Sequence, residues 1–372
     1  MPTPDPTLTP APTTDDATST SGVPPTGPTT PVPPVPLPPT VPPAPTVPPV
    51  PTVTLPPIPT PAPPRPTTPT TPPTTPPTTS VPAPPTVPGT GGCLSPRGIP
   101  SCGPLLGAAI GGNADPAASE AQFGGRLALH RTYFQANQQA AAVRTAAADL
   151  AAGRLPWISF KLPSGWAPMA SGSGDGWARD IAAQLGTLHG PVWLAFHHEP
   201  ENDGTMADWV RLQARLGAIV RATAPNVAYS IILTGWNQVF GGNPALSFQA
   251  LWPGDDAVDI LAIDPYNEYG VVKNGKMITQ SVELKQYYAP LAAFAAAHHV
   301  HWAVAETGYT DLQAARDPAW LNRAFTDMRA MGGVGLAYFD SSLNSIGDWP
   351  LDTQEKVGAF GSALRLSARL TP

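Results

Sequence analysis

Cysteine is nearly absent from this chain. Cys93 and Cys102 are the only two in 372 residues, which rules out a disulfide-rich scaffold and leaves too few thiols for a cysteine-built metal centre. Charge is sparse too, at 12% of residues with a formal net charge of −6. No basic stripe or nucleic-acid motif stands out, so nucleic acid is not an expected partner. No apolar run approaches the roughly eighteen residues of a membrane helix, and no membrane span is expected. No glycine-rich loop opens a helix directly after an apolar strand, which argues against a dinucleotide or phosphate cradle and leaves no cofactor expected. Aromatic residues are missing altogether from the first 92 positions.

That last absence divides the chain. Residues 1–92 consist almost wholly of Pro, Thr, Val, Ala and Ser, with Asp5, Asp15, Asp16 and Arg65 as their only charges. Such a segment cannot build a core, and proline favours extended polyproline II at about 3 Å per residue. It reads as a Pro/Thr-rich disordered linker or stalk. Runs such as TTPTTPPTTPPTTS resemble O-glycosylated stalks, so an unmodified spacer and a glycosylated or wall-spanning one both stand open. Residues 93–372 form the second part. Subtracting the four charges above from the totals of 20 basic and 26 acidic residues leaves 19 and 23, a mildly acidic balance in a segment long enough for one large core.

The cysteine pair flanks LSPRGIPS at the junction. Two close cysteines with no others in the chain favour a local disulfide, and with it a secreted or cell-surface location. No charged start followed by an apolar stretch stands at Met1, so the expected export would draw on a leader not contained in these residues.

From the junction onward, strand-length apolar runs alternate with longer helical patterns. Strands are expected over 105–111, 126–134, 155–162, 191–197, 227–233, 258–264, 301–307 and 334–340. Helices are expected over 138–152, 175–188, 205–224, 282–299, 318–331 and 353–367. Eight strands alternating with helices predict an α/β fold of the (β/α)8 TIM-barrel type rather than an open doubly wound sheet.

Two of the expected strands end in glutamate. Glu199 follows PVWLAF in the segment HHEPEND, and Glu306 follows HWAVA in AVAETG. In a barrel, residues at the C-terminal ends of strands gather at the mouth where the chemistry is held. A pair of carboxyl groups there suits glycosidic-bond cleavage, one ionised and one protonated. A strand-end salt bridge is the ordinary alternative for either residue.

Glu199 after the fourth strand and Glu306 at the end of the seventh resemble the large clan of retaining (β/α)8 glycoside hydrolases. The greatest likeness is to glycoside hydrolase family 26, the β-mannanase family and its relatives. It is carried by His198 before Glu199, by LWPGDDAVDILAIDPYN (residues 251–267) and by VAETG (304–308), and spans roughly residues 105–370. The resemblance implies that Glu306 is the nucleophile and Glu199 the acid/base, in a retaining double displacement on a β-linked polysaccharide. It also implies that Tyr266 hydrogen-bonds the nucleophile, that His198 lies near Glu199 or the sugar 2-hydroxyl, and that Trp349 offers an aromatic platform. Arg131, ending the second strand, would either lower the Glu306 pKa or form a structural ion pair. Trp236 and Asn237 after the fifth strand, and Trp166 after the third, are further cleft candidates, each tryptophan equally suited to packing a loop.

One departure bears on substrate. The family places a tryptophan shortly after the acid/base, whereas here PENDGTMAD intervenes and Trp209 is expected in the next helix. The substrate is therefore open between a mannan-like polymer and another β-linked glycan, including an actinobacterial wall or capsular polysaccharide, with cell-wall association through the stalk. Three other readings remain. His197, His198, Glu199, Glu201 and Asp203 have the residue types of a metal-dependent hydrolase, although adjacent strand residues face opposite sides. A non-catalytic glycan-binding barrel and a purely structural wall or virion protein are the other two. His298, His299 and His301 lie where a helix gives way to the seventh strand and are read as structural.

Overall fold

The computed structural model describes residues 92–370, and the Pro/Thr-rich segment lies outside the described residues but for its last position. Eight strands close into one parallel barrel: β1 (Leu105–Ile110), β2 (Leu129–Phe134), β3 (Leu155–Phe160), β4 (Val192–Phe196), β5 (Val227–Leu233), β6 (Ile260–Ile263), β7 (His301–Val304) and β8 (Gly335–Asp340). Each pairs with its neighbour in sequence, and β1 closes the ring on β8 in register from Leu105↔Gly335 to Ile110↔Asp340. The expected (β/α)8 fold is the observed one. The fifth strand keeps its expected bounds, the second and eighth begin later than their apolar runs, and the first, third, fourth, sixth and seventh end earlier.

The strands read as apolar runs because they are covered on both faces. Along β4, Trp193 and Ala195 point into the barrel with Leu129, Trp157, Ala228, Ile232 and Ala303, while Val192, Leu194 and Phe196 pack outward against the helices. The major helices, Gln139–Ala151, Asp175–Gly186, Met206–Thr223, Lys285–Ala297, Trp320–Ala330 and Gln354–Leu364, form that outer layer. Gly107 on β1 marks a close approach: a Cβ there would fall 1.7 Å from the Leu129 carbonyl oxygen, so no larger residue fits this strand spacing.

The N-terminal end of the barrel is stoppered. Cys93 and Cys102 are disulfide-bonded, and Cys93, Leu94 and Ile99 pack against the interior side chains. The Trp193 indole donates to the Arg97 carbonyl at 3.1 Å, and the Arg97 guanidinium meets Asp259 at 2.7 Å. At the same end His298 pairs with Asp255 at 2.6 Å and stacks on Phe294. None of these groups faces the opposite, C-terminal mouth.

Four short helices escape the sequence patterns: Ala117–Phe123, packed on the last helix through Phe123 and Phe360, and Trp166–Ala170, Trp236–Val239 and Asp311–Arg316, which follow the third, fifth and seventh strands. A small antiparallel hairpin, Val272–Lys273 with Met277–Lys276, follows β6. No helix among the described residues is long and apolar enough to cross a membrane.

Candidate active site

At the C-terminal mouth a cavity of about 770 Å³ brings Glu199 and Glu306 together with His198, Tyr266 and Trp349. Its remaining wall comes from the loops after β1, β2 and β8, including Asn113, Gln138, Leu343 and Ile346.

The turn after β4 delivers Glu199 by an unusual route. His197 and Glu199 both take left-handed backbone, each at φ 50°, a region non-glycine residues rarely enter. The Phe160 carbonyl accepts from the His197 N–H, and the Ile232 carbonyl accepts from the Glu199 N–H, each at 2.9 Å, so both neighbouring strands grip this turn. Trp209, in the helix Met206–Thr223 as expected, is fully buried and donates its indole N–H to the His197 carbonyl at 3.2 Å. Glu201 is buried below, accepting from the Thr234 N–H and hydroxyl and from the Gln238 amide. The strained turn is held by these bonds on both sides.

Glu306 sits two residues beyond β7, only 8% exposed. The Tyr266 hydroxyl donates to its Oε2 at 3.1 Å. The Arg131 guanidinium lies 3.7 Å and the His198 imidazole 3.8 Å from its Oε1. Arg131 is itself fully buried, bonded to the Ser159 hydroxyl at 2.8 Å and placed over the Tyr133 ring. Gly308 makes room for this arrangement, since a Cβ there would press on the Tyr266 ring at 3.2 Å and on Trp349 at 3.3 Å.

Burial raises the Glu306 pKa, opposed by the Arg131 charge, the Tyr133 and Tyr266 hydroxyls and Lys161. Glu199 has less help. Burial first, then the charges of Glu306 and Glu201, push it up to about 8. The two carboxyls therefore differ in kind: one is surrounded by donors that favour its ionised form, the other is held protonated at neutral pH. His198 is held neutral, its pKa driven well down by burial and by the Arg131 charge, and its buried Nδ1 has no hydrogen-bond partner.

The other expected residues distribute unevenly. Trp166 opens its short helix and is nearly buried, edge-on to His197 at 4.9 Å. It lines a second cavity, of about 350 Å³, beside the first. Trp349 borders the main cavity but is 3% exposed, packed 5.0 Å from Tyr266, so it supports that tyrosine and presents little face to a ligand. Trp236 is 56% exposed and borders neither cavity, and Asn237 donates to the Thr234 hydroxyl. The residues proposed for a metal diverge: His197 pairs with Asp203, His198 turns to Glu306, and Glu201 clamps the β5 loop.

Sequence patterns missed Tyr133, Asp264 and Lys161. Asp264 follows β6, fully buried with both carboxyl oxygens unpartnered, and burial and the Glu306 charge hold its pKa well up. Its position at the end of an apolar run was the available signal. Lys161 directly follows β3 and borders both cavities.

The fold is a closed (β/α)8 barrel with this cavity at its C-terminal mouth. The barrel is similar to a family 26 β-mannanase from Bacteroides ovatus, with a TM-score of 0.50 and 14% identity over 71% of this chain and 89% of that one. It is similar to Cel5A from Thermotoga maritima solved with mannotriose, at 0.51 and 14% over 69% and 97%. A family 39 glycoside hydrolase from Bacteroides cellulosilyticus WH2 scores 0.51 at 16% identity, covering 74% of this chain and 65% of that one. No protein-family model matches the chain, and no curated protein sequence matches it.

Proposed function

We propose that the protein is a retaining glycosidase acting on a β-linked polysaccharide, with Glu306 as nucleophile and Glu199 as acid/base. The observation that carries this is the pairing, in one mouth cavity, of a carboxyl ringed by donors with a carboxyl held protonated up to about 8. Glu306 attacks the anomeric carbon and forms a glycosyl ester, while Glu199 transfers its proton to the departing glycosidic oxygen. Glu199, now ionised, takes a proton from water, which displaces Glu306 with overall retention. Tyr266 and Arg131 favour the ionised form of Glu306 against the burial that opposes it. Neutral His198 borders the cavity beside Glu306, placed to bond a sugar hydroxyl near the reacting carbon.

The barrel similarity supports the class and leaves the sugar open. A mannan-like polymer and an actinobacterial wall or capsular glycan remain the substrate candidates, and the disulfide supports a secreted or cell-surface setting. The test is hydrolysis of β-mannan, glucomannan, mixed-linkage glucan, xylan and wall polysaccharides by the wild type, Glu199→Gln and Glu306→Gln. Turnover that disappears in both variants supports the reading. No turnover on any polymer, with glycan binding intact in both variants, makes the protein a binding barrel.

A further inference from the structure

Lys161 is the odd charge in the cleft. Its backbone N–H is fixed to the Phe134 carbonyl at 2.9 Å, and this exposed residue borders both the main cavity and the smaller one beside it. Lys161 is the one residue that the two cavity walls share. Among the described residues it makes no ion pair and no side-chain hydrogen bond, whereas most other charges in these walls have partners. Glu268 pairs with Lys273 and Asp203 with His197, Asp208 pairs with Arg211, and Glu306 is flanked by Tyr266 and Arg131. Glu199 is the exception, and it is held protonated at neutral pH.

An exposed lysine is ordinarily kept in water at little cost. A glycan filling both cavities would strip that water away, and an ammonium group so covered needs a compensating partner. A neutral sugar returns only hydroxyl contacts. A carboxylate returns a charge-assisted hydrogen bond of about twice the strength.

We propose that Lys161 selects a uronic acid: the polysaccharide carries a carboxylate on a sugar adjoining the cleaved bond, and that carboxylate docks on Lys161, the residue that the two cavity walls share. The inference rests on the glycosidase reading for the position of the bond, and its ligand preference is measurable without turnover.

The experiment is calorimetric titration of the Glu199→Gln protein, whose site keeps the charge of the protonated acid, with two matched pairs. One pair is β-1,4-mannotetraose and β-1,4-tetramannuronate, the other cellotetraose and β-1,4-tetraglucuronate. Within a pair the ligands differ only at C6. The expected result is about tenfold tighter binding of one uronate over its neutral partner, a preference that weakens with added salt. Adding Lys161→Gln, which keeps a donor and removes the charge, abolishes the preference as fully as Lys161→Met. Equal binding within both pairs, no binding by any of the four, or a preference that survives Lys161→Gln overturns the proposal. Wild-type turnover of 2,4-dinitrophenyl β-glycosides, which place no sugar on the leaving side, separates the two readings. Turnover there with equal tetramer binding removes the uronate assignment and leaves the glycosidase standing. Charge-dependent binding without turnover of these glycosides or of the polymers does the reverse.

Discussion

Removing the Tyr266 hydroxyl tests the proposal that this bond favours the ionised form of Glu306 as nucleophile. In Tyr266→Phe the ring still fills its place against Trp349, and only the 3.1 Å bond to Glu306 Oε2 is lost. A hydrogen bond to a charged acceptor contributes about 1.5 to 3 kcal/mol. At 1.36 kcal/mol per pKa unit this raises the Glu306 pKa by about 1 to 2 units. The sign follows from the role: a nucleophile must be deprotonated, so a raised pKa removes activity from the acid side. The assay is the pH dependence of kcat/KM on a 2,4-dinitrophenyl β-glycoside, whose leaving group departs without acid assistance and leaves the nucleophile's ionisation as the visible limb. The acid limb should move up by about 1 to 2 units, with the Arg131 charge setting what ionisation remains. An acid limb that stays in place, with full activity below neutrality, refutes the assignment of Tyr266 as the bond that holds Glu306 ionised.

Other outcomes follow from the same geometry. Glu199→Gln should stabilise the fold at neutral and alkaline pH. A carboxyl raised to about 8 keeps its proton when folded but loses it near 4.3 when unfolded, so wild-type stability falls as pH rises between those values and levels off above. The difference between variant and wild type should therefore grow across that window to at most about 5 kcal/mol, read as a widening gap in Tm; a gap independent of pH would contradict the buried protonated acid. Gly308→Ala should crowd the Tyr266 ring, costing about 1 to 3 kcal/mol of stability, and lower kcat by displacing that ring from Glu306, with normal activity showing that the ring can give way freely. Replacing Cys93 and Cys102 together by serine should cost about 2 to 3 kcal/mol of stability, from a closed loop of sequence separation 9. The same change should leave kcat unaltered, because the stopper lies at the opposite end of the barrel; a changed kcat would show coupling across the core.

The barrel was legible because a parallel sheet covered on both faces writes itself as apolar runs, and the glutamates because each closes such a run. What escaped is what local pattern cannot encode. The short helices Trp166–Ala170 and Trp236–Val239 are too brief to show a helical period. The left-handed turns at His197 and Glu199 carry no glycine to announce them and are imposed by neighbouring strands and by Trp209. Trp349 matched the place of a sugar platform, but the depth at which the β8 loop packs turns it toward Tyr266. Lys161 and Asp264 looked like ordinary strand ends, and only closure of the barrel shows one bordering both cavities and the other buried with no partner.

The central claim is that Glu306 forms a covalent bond to the sugar. The direct measurement is peptide mass mapping after incubation with 2,4-dinitrophenyl 2-deoxy-2-fluoro-β-glycosides of the manno and gluco series, in which the fluorine slows release of the glycosyl ester. The account predicts a fluorosugar adduct on the peptide containing Glu306, absent from Glu306→Gln and retained in Glu199→Gln. An adduct on Glu199 or Asp264, or polysaccharide turnover that gives the inverted anomer with no adduct, would contradict it.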